Sequence, residues 1–361
     1  MNSSSSSDKS RLSTLDAMRG LGAFAVLLFH FLVNGEMIAP KGYLAVDFFF
    51  LLSGLVIAHT YDSRLRSGMS FGNFTVLRLV RLYPLFIVGL LFGALRRFGY
   101  AALERGDGWS PAQLLQAGAF EILMLPSPLS ENLFVLNGPS WSLFFEMAVS
   151  LAYAGLLFRL RTGTLVVLTA LFGMLLMVTA VQHGSLEMGL KWAWFHGSVA
   201  RTGFSFTLGM LIQRKLRGQY LVRPARPSWL ALLPCAGLLA CLLAQTDSGA
   251  LFDLVIVMVV APLLVWLGAS YDPPAALQPA ARWIGELSYP IYAIHYPLMF
   301  LWLFAAKRAH LPLAAQLIGF VLLTAGLAWA LNRWWDVPVR RWLNARIGGA
   351  RPAGVGPQTA P

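Results

Sequence analysis

The chain has 361 residues, of which 57% are hydrophobic and only 12% charged, with a mean hydropathy of +0.63. Soluble domains carry about 25% charged residues, so this composition excludes an ordinary soluble multi-domain enzyme and indicates a chain that crosses a bilayer many times. The net charge of +12 then reflects a positive-inside bias and contact with anionic membrane lipid, and nucleic acid is not an expected partner.

In chain order, apolar runs broken by arginine clusters, Pro and Gly place ten spans. They lie at about 17–35, 43–61, 82–98, 140–158, 164–182, 197–214, 229–245, 251–269, 283–305 and 313–335. The first run lacks a small-residue cleavage site and is interrupted by His30, so it reads as a retained helix rather than a signal peptide. A short apolar stretch at 112–126 is read as a re-entrant or interfacial helix inside the long third loop. With the N-terminus inside, twenty Lys and Arg fall on the cytoplasmic side and seven on the other. Both termini are therefore expected in the cytoplasm. The fold class is an all-α integral membrane bundle of about ten transmembrane helices. A single domain is expected over 13–345, between low-complexity tails at 1–12 and 346–361 that are read as disordered. Cys235 and Cys241 lie on different faces of one apolar run and read as core-filling thiols. No 20–50-residue repeat is visible, and HExxH, Cys/His ligand spacing, GxSxG and GxxxxGK[ST] are all absent, so no metal site is expected.

An ionisable group inside a span marks a functional site by default. "RGLGAFAVLLFH" carries Arg19 and His30, eleven residues apart and so on one helix face, about 16 Å apart along the axis. An interfacial anchor plus a hydrogen-bonding histidine weighs about as much as catalysis for this pair alone. "RLVRLYP" places Arg78 and Arg81 at i and i+3, a spacing that suits a grip on a phosphate, though a positive-inside flank would look the same. In "GPSWSLFFEM", Ser140 is read as the N-cap, and Ser142 and Glu146 share a face. Glu146 needs a partner: His30 by depth, or Arg201 in a structural ion pair. "YLAVDFFFLLSG" supplies Asp47, with Ser53 and Gly54 allowing close helix packing. "ELSYPIYAIHYPL" supplies Tyr289 and His295, with Pro290 and Pro297 distorting the helix. Packing outweighs chemistry for Asp47, Tyr289 and His295.

Together, "LDAMRGLGAFAVLLFH", "DFFFLLSGLVI", "RLVRLYPLF", "GPSWSLFFE" and "ELSYPIYAIHYPL" resemble the membrane-bound acyltransferase-3 family of bacterial O-acyltransferases, over about residues 15–340. The family's Arg/Lys-x10-His pattern falls on Arg19 and His30. Its Arg-x-x-Arg falls on Arg78 and Arg81, and its Trp-Ser-Leu-x-x-Glu on Trp141, Ser142, Leu143 and Glu146. Ala17-Met18 departs from the usual Gly-Leu, which touches packing only.

The resemblance implies a multi-pass protein of the bacterial inner membrane, of the type without a hydrolase-like domain. It would move an acyl group, acetyl above all, from cytoplasmic acyl-CoA to a hydroxyl of a saccharide or glycosylated acceptor. Acyl-CoA would be a co-substrate, with no permanently bound cofactor and no partner protein expected. Arg19, Arg78 and Arg81 would hold its phosphates. His30 would be the general base, with Glu146 orienting its ring. Asp47, Trp141, Ser142, Tyr289 and His295 would support the substrates. The competing class is a transporter or flippase of a lipid-linked saccharide that consumes no acyl-CoA.

Overall fold

The computed structural model describes residues 12–33, 35–102, 109–216, 226–246 and 249–348. Each of the ten expected spans contains helix. The helices are α1 (Ser13–His30), α2 (Ala45–Arg66), α3 (Phe71–Ala102), α4 (Pro111–Ile122), α5 (Ser140–Gly155), α6 (Thr162–His183) and α7 (Phe195–Leu216). Then follow α8 (Leu232–Leu242), α9 (Gly249–Val255), α10 (Ala261–Ser270), α11 (Gln278–Arg308), α12 (Leu313–Leu331) and α13 (Val337–Gly348). A π-helical turn at Ile256–Val260 joins α9 to α10, and another at Asn332–Asp336 joins α12 to α13. The short apolar stretch of the third loop is α4, closed at its N-terminus by a Ser110–Gln113 capping box.

Among the described residues six helices are long and apolar enough to cross a membrane. They are Gly42–Arg66, Phe71–Tyr100, Thr162–His183, Gly249–Ser270, Gln278–Arg308 and Leu313–Ile347. Of the other four expected spans, α1, α5 and α8 have 18, 16 and 11 residues. The fourth, α7, is long enough but buries Arg201, Thr202, Ser205, Thr207 and Gln213. The structure therefore shows a helical membrane architecture in which six helices among the described residues meet that length and apolarity, and it does not confirm the expected count of about ten. The expected tails fall mostly outside the described residues, at 1–11 and 349–361, and α13 continues three residues into the second.

Two helix pairs position the site. α1 and α11 run in the same direction, with Arg19 beside Ser288 and His30 beside His295. Their approach is set by glycine on both sides. A Cβ on Gly20 would stand 2.5 Å from the Ile284 carbonyl oxygen, and one on Gly285 would stand 2.7 Å from that of Asp16. α2 and α7 are locked likewise: a Cβ on Gly54 or Gly209 would run into the backbone of Phe206 or Leu51. Small residues that let backbones touch are the usual device where lipid supplies no hydrophobic drive between helices. The outer faces are apolar: α12 buries only Phe320, Thr324 and Ala328 and exposes Ile318, Leu322 and Leu323.

The loop before α5 is docked by chemistry that proline creates. Pro297 lacks the N–H that would bond the Ala293 carbonyl one turn earlier. The Asn137 side chain donates to that freed oxygen at 2.9 Å. α5 itself begins at Ser140 with Pro139 as N-cap and no side-chain cap, so the expectation that Ser140 is the N-cap is corrected. The Ser140 hydroxyl is buried inside the first turn, and Ser142 donates to the Pro139 carbonyl at 3.1 Å instead.

Candidate active site

Arg19 and His30 are both on α1, and the structure gives each a partner on α11. Arg19 donates to Ser288 Oγ at 2.8 Å and to the Gly285 carbonyl at 2.9 Å, and it pairs with Asp16 at 3.0 Å. His30 is the last residue of α1, half-buried, with Nδ1 2.9 Å from the Val26 carbonyl and 3.3 Å from His295 Nε2.

The contacts assign tautomers. His295 Nδ1 faces the Tyr292 carbonyl at 2.9 Å and that of Ile291 at 3.2 Å, so it carries the hydrogen, and Nε2 of the neutral ring is an acceptor. His30 Nδ1 faces the Val26 oxygen and that acceptor, so it donates. The lone pair of neutral His30 is thereby left on Nε2. His295, fully buried, is thus part of the His30 arrangement, where sequence reading gave it to packing.

Glu146 is elsewhere. Six residues from the start of α5 places it about 9 Å along the helix axis, level with the arginines. Arg78 donates to it at 2.7 Å and Ser53 Oγ at 3.2 Å. The expected contact between Glu146 and His30 is corrected: Arg78 and Ser53 hold the Glu146 carboxylate, while His30 meets the Val26 carbonyl and His295. Nor does Arg201 take Glu146. It forms a buried pair with Asp47, with Nε 3.1 and 3.2 Å from the two carboxylate oxygens. Arg201 also donates to the Tyr43 carbonyl at 3.0 Å and to the Met188 carbonyl, and its guanidinium lies 5.2 Å from the Trp141 ring. Asp47 therefore anchors α7 to α2, and Trp141 covers the pair.

Two cavities organise these groups. One, of about 150 Å³, is lined by Arg19, Arg78, Arg81, Glu146, Ser142 and Tyr289, so the three arginines singled out from sequence do converge. Arg78 Nε is buried there without a hydrogen-bond partner, an unfilled donor beside the cavity. The other, of about 510 Å³, is lined by His30, Trp141, His183, Glu187, Arg201 and Tyr296. Val46 and Tyr292 belong to both and form the wall between them. The Tyr292 hydroxyl is 2.6 Å from Ser142 Oγ and 3.2 Å from the Pro139 carbonyl. Sequence reading missed Tyr292, although it lies three residues from both Tyr289 and His295 on α11, a spacing that keeps all three near one helix face. Among the described residues, no three His, Cys, Asp or Glu side chains gather as a metal site would need.

These features define a class: a multi-pass helical protein with an arginine-lined cavity on one side of a thin wall and a histidine-lined one on the other. The chain belongs to the acyltransferase domain family (Acyl_transf_3), whose family model matches residues 12–333, and it is accordingly an acyltransferase. That membership decides between the two classes weighed from sequence, against the transporter. The chain is also 32% identical over 189 residues to "Protein 2 in picA locus" of Rhizobium radiobacter, an alignment covering 49% of this chain and 99% of that protein. No solved structure matches it.

Proposed function

We propose that the protein moves a short acyl group, acetyl above all, from acyl-CoA to a hydroxyl of a saccharide or glycosylated acceptor. The two reactants would enter from opposite ends of the bundle. The observation that carries this reading is the pair of cavities sharing the Val46–Tyr292 wall. Acyl-CoA phosphates suit the arginine cavity, since guanidinium groups bind phosphate bidentately. The acceptor hydroxyl suits the larger cavity beside His30. The twenty-to-seven distribution of Lys and Arg supports an arginine end that faces the cytoplasm, and the family resemblance supports a bacterial inner membrane.

In the transfer, His30 Nε2 takes the proton of the acceptor hydroxyl as its oxygen attacks the thioester carbonyl carbon. The carbon–sulfur bond then breaks, and the CoA thiolate leaves, taking the proton from His30. His295 holds the reacting tautomer. Glu146 fixes Arg78 at the phosphate end. The Tyr292 hydroxyl, which rests against Ser142 and the Pro139 carbonyl, turns from them to donate where the carbonyl oxygen becomes negative.

The test is transfer of labelled acetyl from acetyl-CoA into alkali-labile ester on saccharide, in membranes carrying the protein. The unmodified chain is expected to transfer label and His30→Ala to lose it while remaining folded in the membrane. Full transfer by His30→Ala would remove the base assignment.

A further inference from the structure

Beside the arginine cavity lies another, of about 420 Å³, that the transfer step does not use. Its walls are α11 and the run from α12 through the π-helical turn into α13. Arg19, Arg81, Arg333, Arg340 and Arg341 line it. Arg19, Arg81, Ser288 and Tyr289 line both cavities, so the two meet along the α1–α11 seam. Arg78 lines the first cavity, Arg19 and Arg81 line both, and Arg340 lines the second, which makes one arginine track from the first cavity into the second.

Three features give the second cavity the character of a phosphate site. Its five guanidinium groups meet three carboxylates: Asp336 on Arg340 at 2.7 Å, Asp16 on Arg19 at 3.0 Å, and Glu286 in the wall. Positive charge therefore remains in excess. Arg340 Nε is buried without a hydrogen-bond partner, and a buried donor left unfilled is costly unless a ligand takes it. The π-helical turn Asn332–Asp336 is the third. Such turns are rare and cluster at functional sites, and this one brings Asn332, Arg333 and Asp336 onto the wall. Trp283 and Trp329, both about half exposed, add flat aromatic faces of the kind on which a purine ring stacks.

We infer that this cavity receives the nucleotide end of acyl-CoA, with Arg340 and Arg341 gripping its 3′-phosphate and Arg19, Arg78 and Arg81 left to the pyrophosphate. The inference rests on the acyl-CoA reading above. Arg340 and Arg341 lie outside residues 12–333 that the family model matches, so this grip belongs to the C-terminal helix of this chain. A lipid headgroup offers the same phosphate chemistry, but it would have no use for the opening onto the arginine cavity.

The test is equilibrium binding of CoA and of 3′-dephospho-CoA to the full chain in phosphatidylcholine nanodiscs, with and without phosphatidylglycerol. The unmodified protein is expected to bind CoA about tenfold more tightly than the dephospho form, a difference of about 1.4 kcal/mol. Arg341→Ala, at an exposed position, should bring the two affinities together. Arg340→Ala should do the same, and Arg340→Lys should restore most of the preference. Equal affinities in the unmodified protein, or a preference that survives both alanine variants, would overturn the inference. So would variants that change only the response to phosphatidylglycerol, since the cavity would then hold a lipid headgroup. Failure of the unmodified protein to bind either ligand would instead strike the acyl-CoA reading itself.

Discussion

His30 has for company a backbone carbonyl and a second imidazole, and its chemistry follows from which nitrogen those two occupy. Since His295 fixes Nε2 of His30 as the free lone pair, His295→Ala is expected to lower kcat about tenfold, near 1.4 kcal/mol of transition-state stabilisation, with the donor KM held. Steady-state kinetics in both substrates check this; an unchanged kcat would take His295 out of the arrangement. Glu146 gives the opposite expectation. Because it holds Arg78 and not His30, Glu146→Gln should raise the donor KM more than it lowers kcat. Tyr292→Phe removes the hydroxyl at the wall and is expected to lower kcat about 10²-fold, within the range for loss of an oxyanion donor. The eleven-residue step from Arg19 to His30 and the Arg-x-x-Arg spacing were legible in sequence, because each lies within one helix and helical geometry fixes the rest. The pairing of His30 with His295 was not. The two are 265 residues apart, and only the docking of α1 on α11 decides which side chains meet.

At the scale of the element, function depends on how closely helices approach. The close approaches of Gly20 to Ile284, Gly285 to Asp16, Gly54 to Phe206 and Gly209 to Leu51 set the α1–α11 and α2–α7 spacing, so a larger side chain must push two backbones apart. Gly54→Leu is expected to lower stability by about 1–3 kcal/mol, the usual cost of overpacking, and to reduce activity with it. Thermal unfolding in detergent, compared with an exposed-site control such as Gly72→Leu where nothing stands within 4 Å of a Cβ, reads the difference.

The loop that carries Asn137 has a second anchor. Glu121 of α4 accepts the backbone N–H groups of Val135 and Leu136, and burial pushes its carboxyl up to about 7 despite them. A carboxyl raised in the folded state favours folding when protonated. Its contribution is full below about 4.5 and is lost as the pH rises through about 7. Glu121→Gln, which keeps an acceptor, should flatten the fall in melting temperature across that window. Proline positions were readable as helix distortions, whereas the use of the freed Ala293 carbonyl by Asn137 was not, since it joins segments far apart in sequence.

Taken whole, the molecule sets an arginine-lined cavity and a histidine-lined cavity on either side of Val46 and Tyr292. Composition made the membrane class legible, and arginine spacing made one end of the bundle legible. The cavities were not, because a cavity belongs to several helices at once: the second arginine cluster needs α1, α3, α11, α12 and α13 together. Ten apolar runs are written in the sequence, and among the described residues six helices reach spanning length with enough apolar character, since α1, α5, α7 and α8 trade length or apolarity for the groups they bury.

The central claim, transfer across the Val46–Tyr292 wall, is tested most directly in sealed inside-out vesicles. These are loaded with saccharide extract of the producing cells and given labelled acetyl-CoA only on their outer, cytoplasmic face. The account predicts ester label on saccharide in the lumen, lost in His30→Ala vesicles and never formed when acetyl-CoA is confined to the lumen. Label on saccharide only at the face that holds the acetyl-CoA would contradict it.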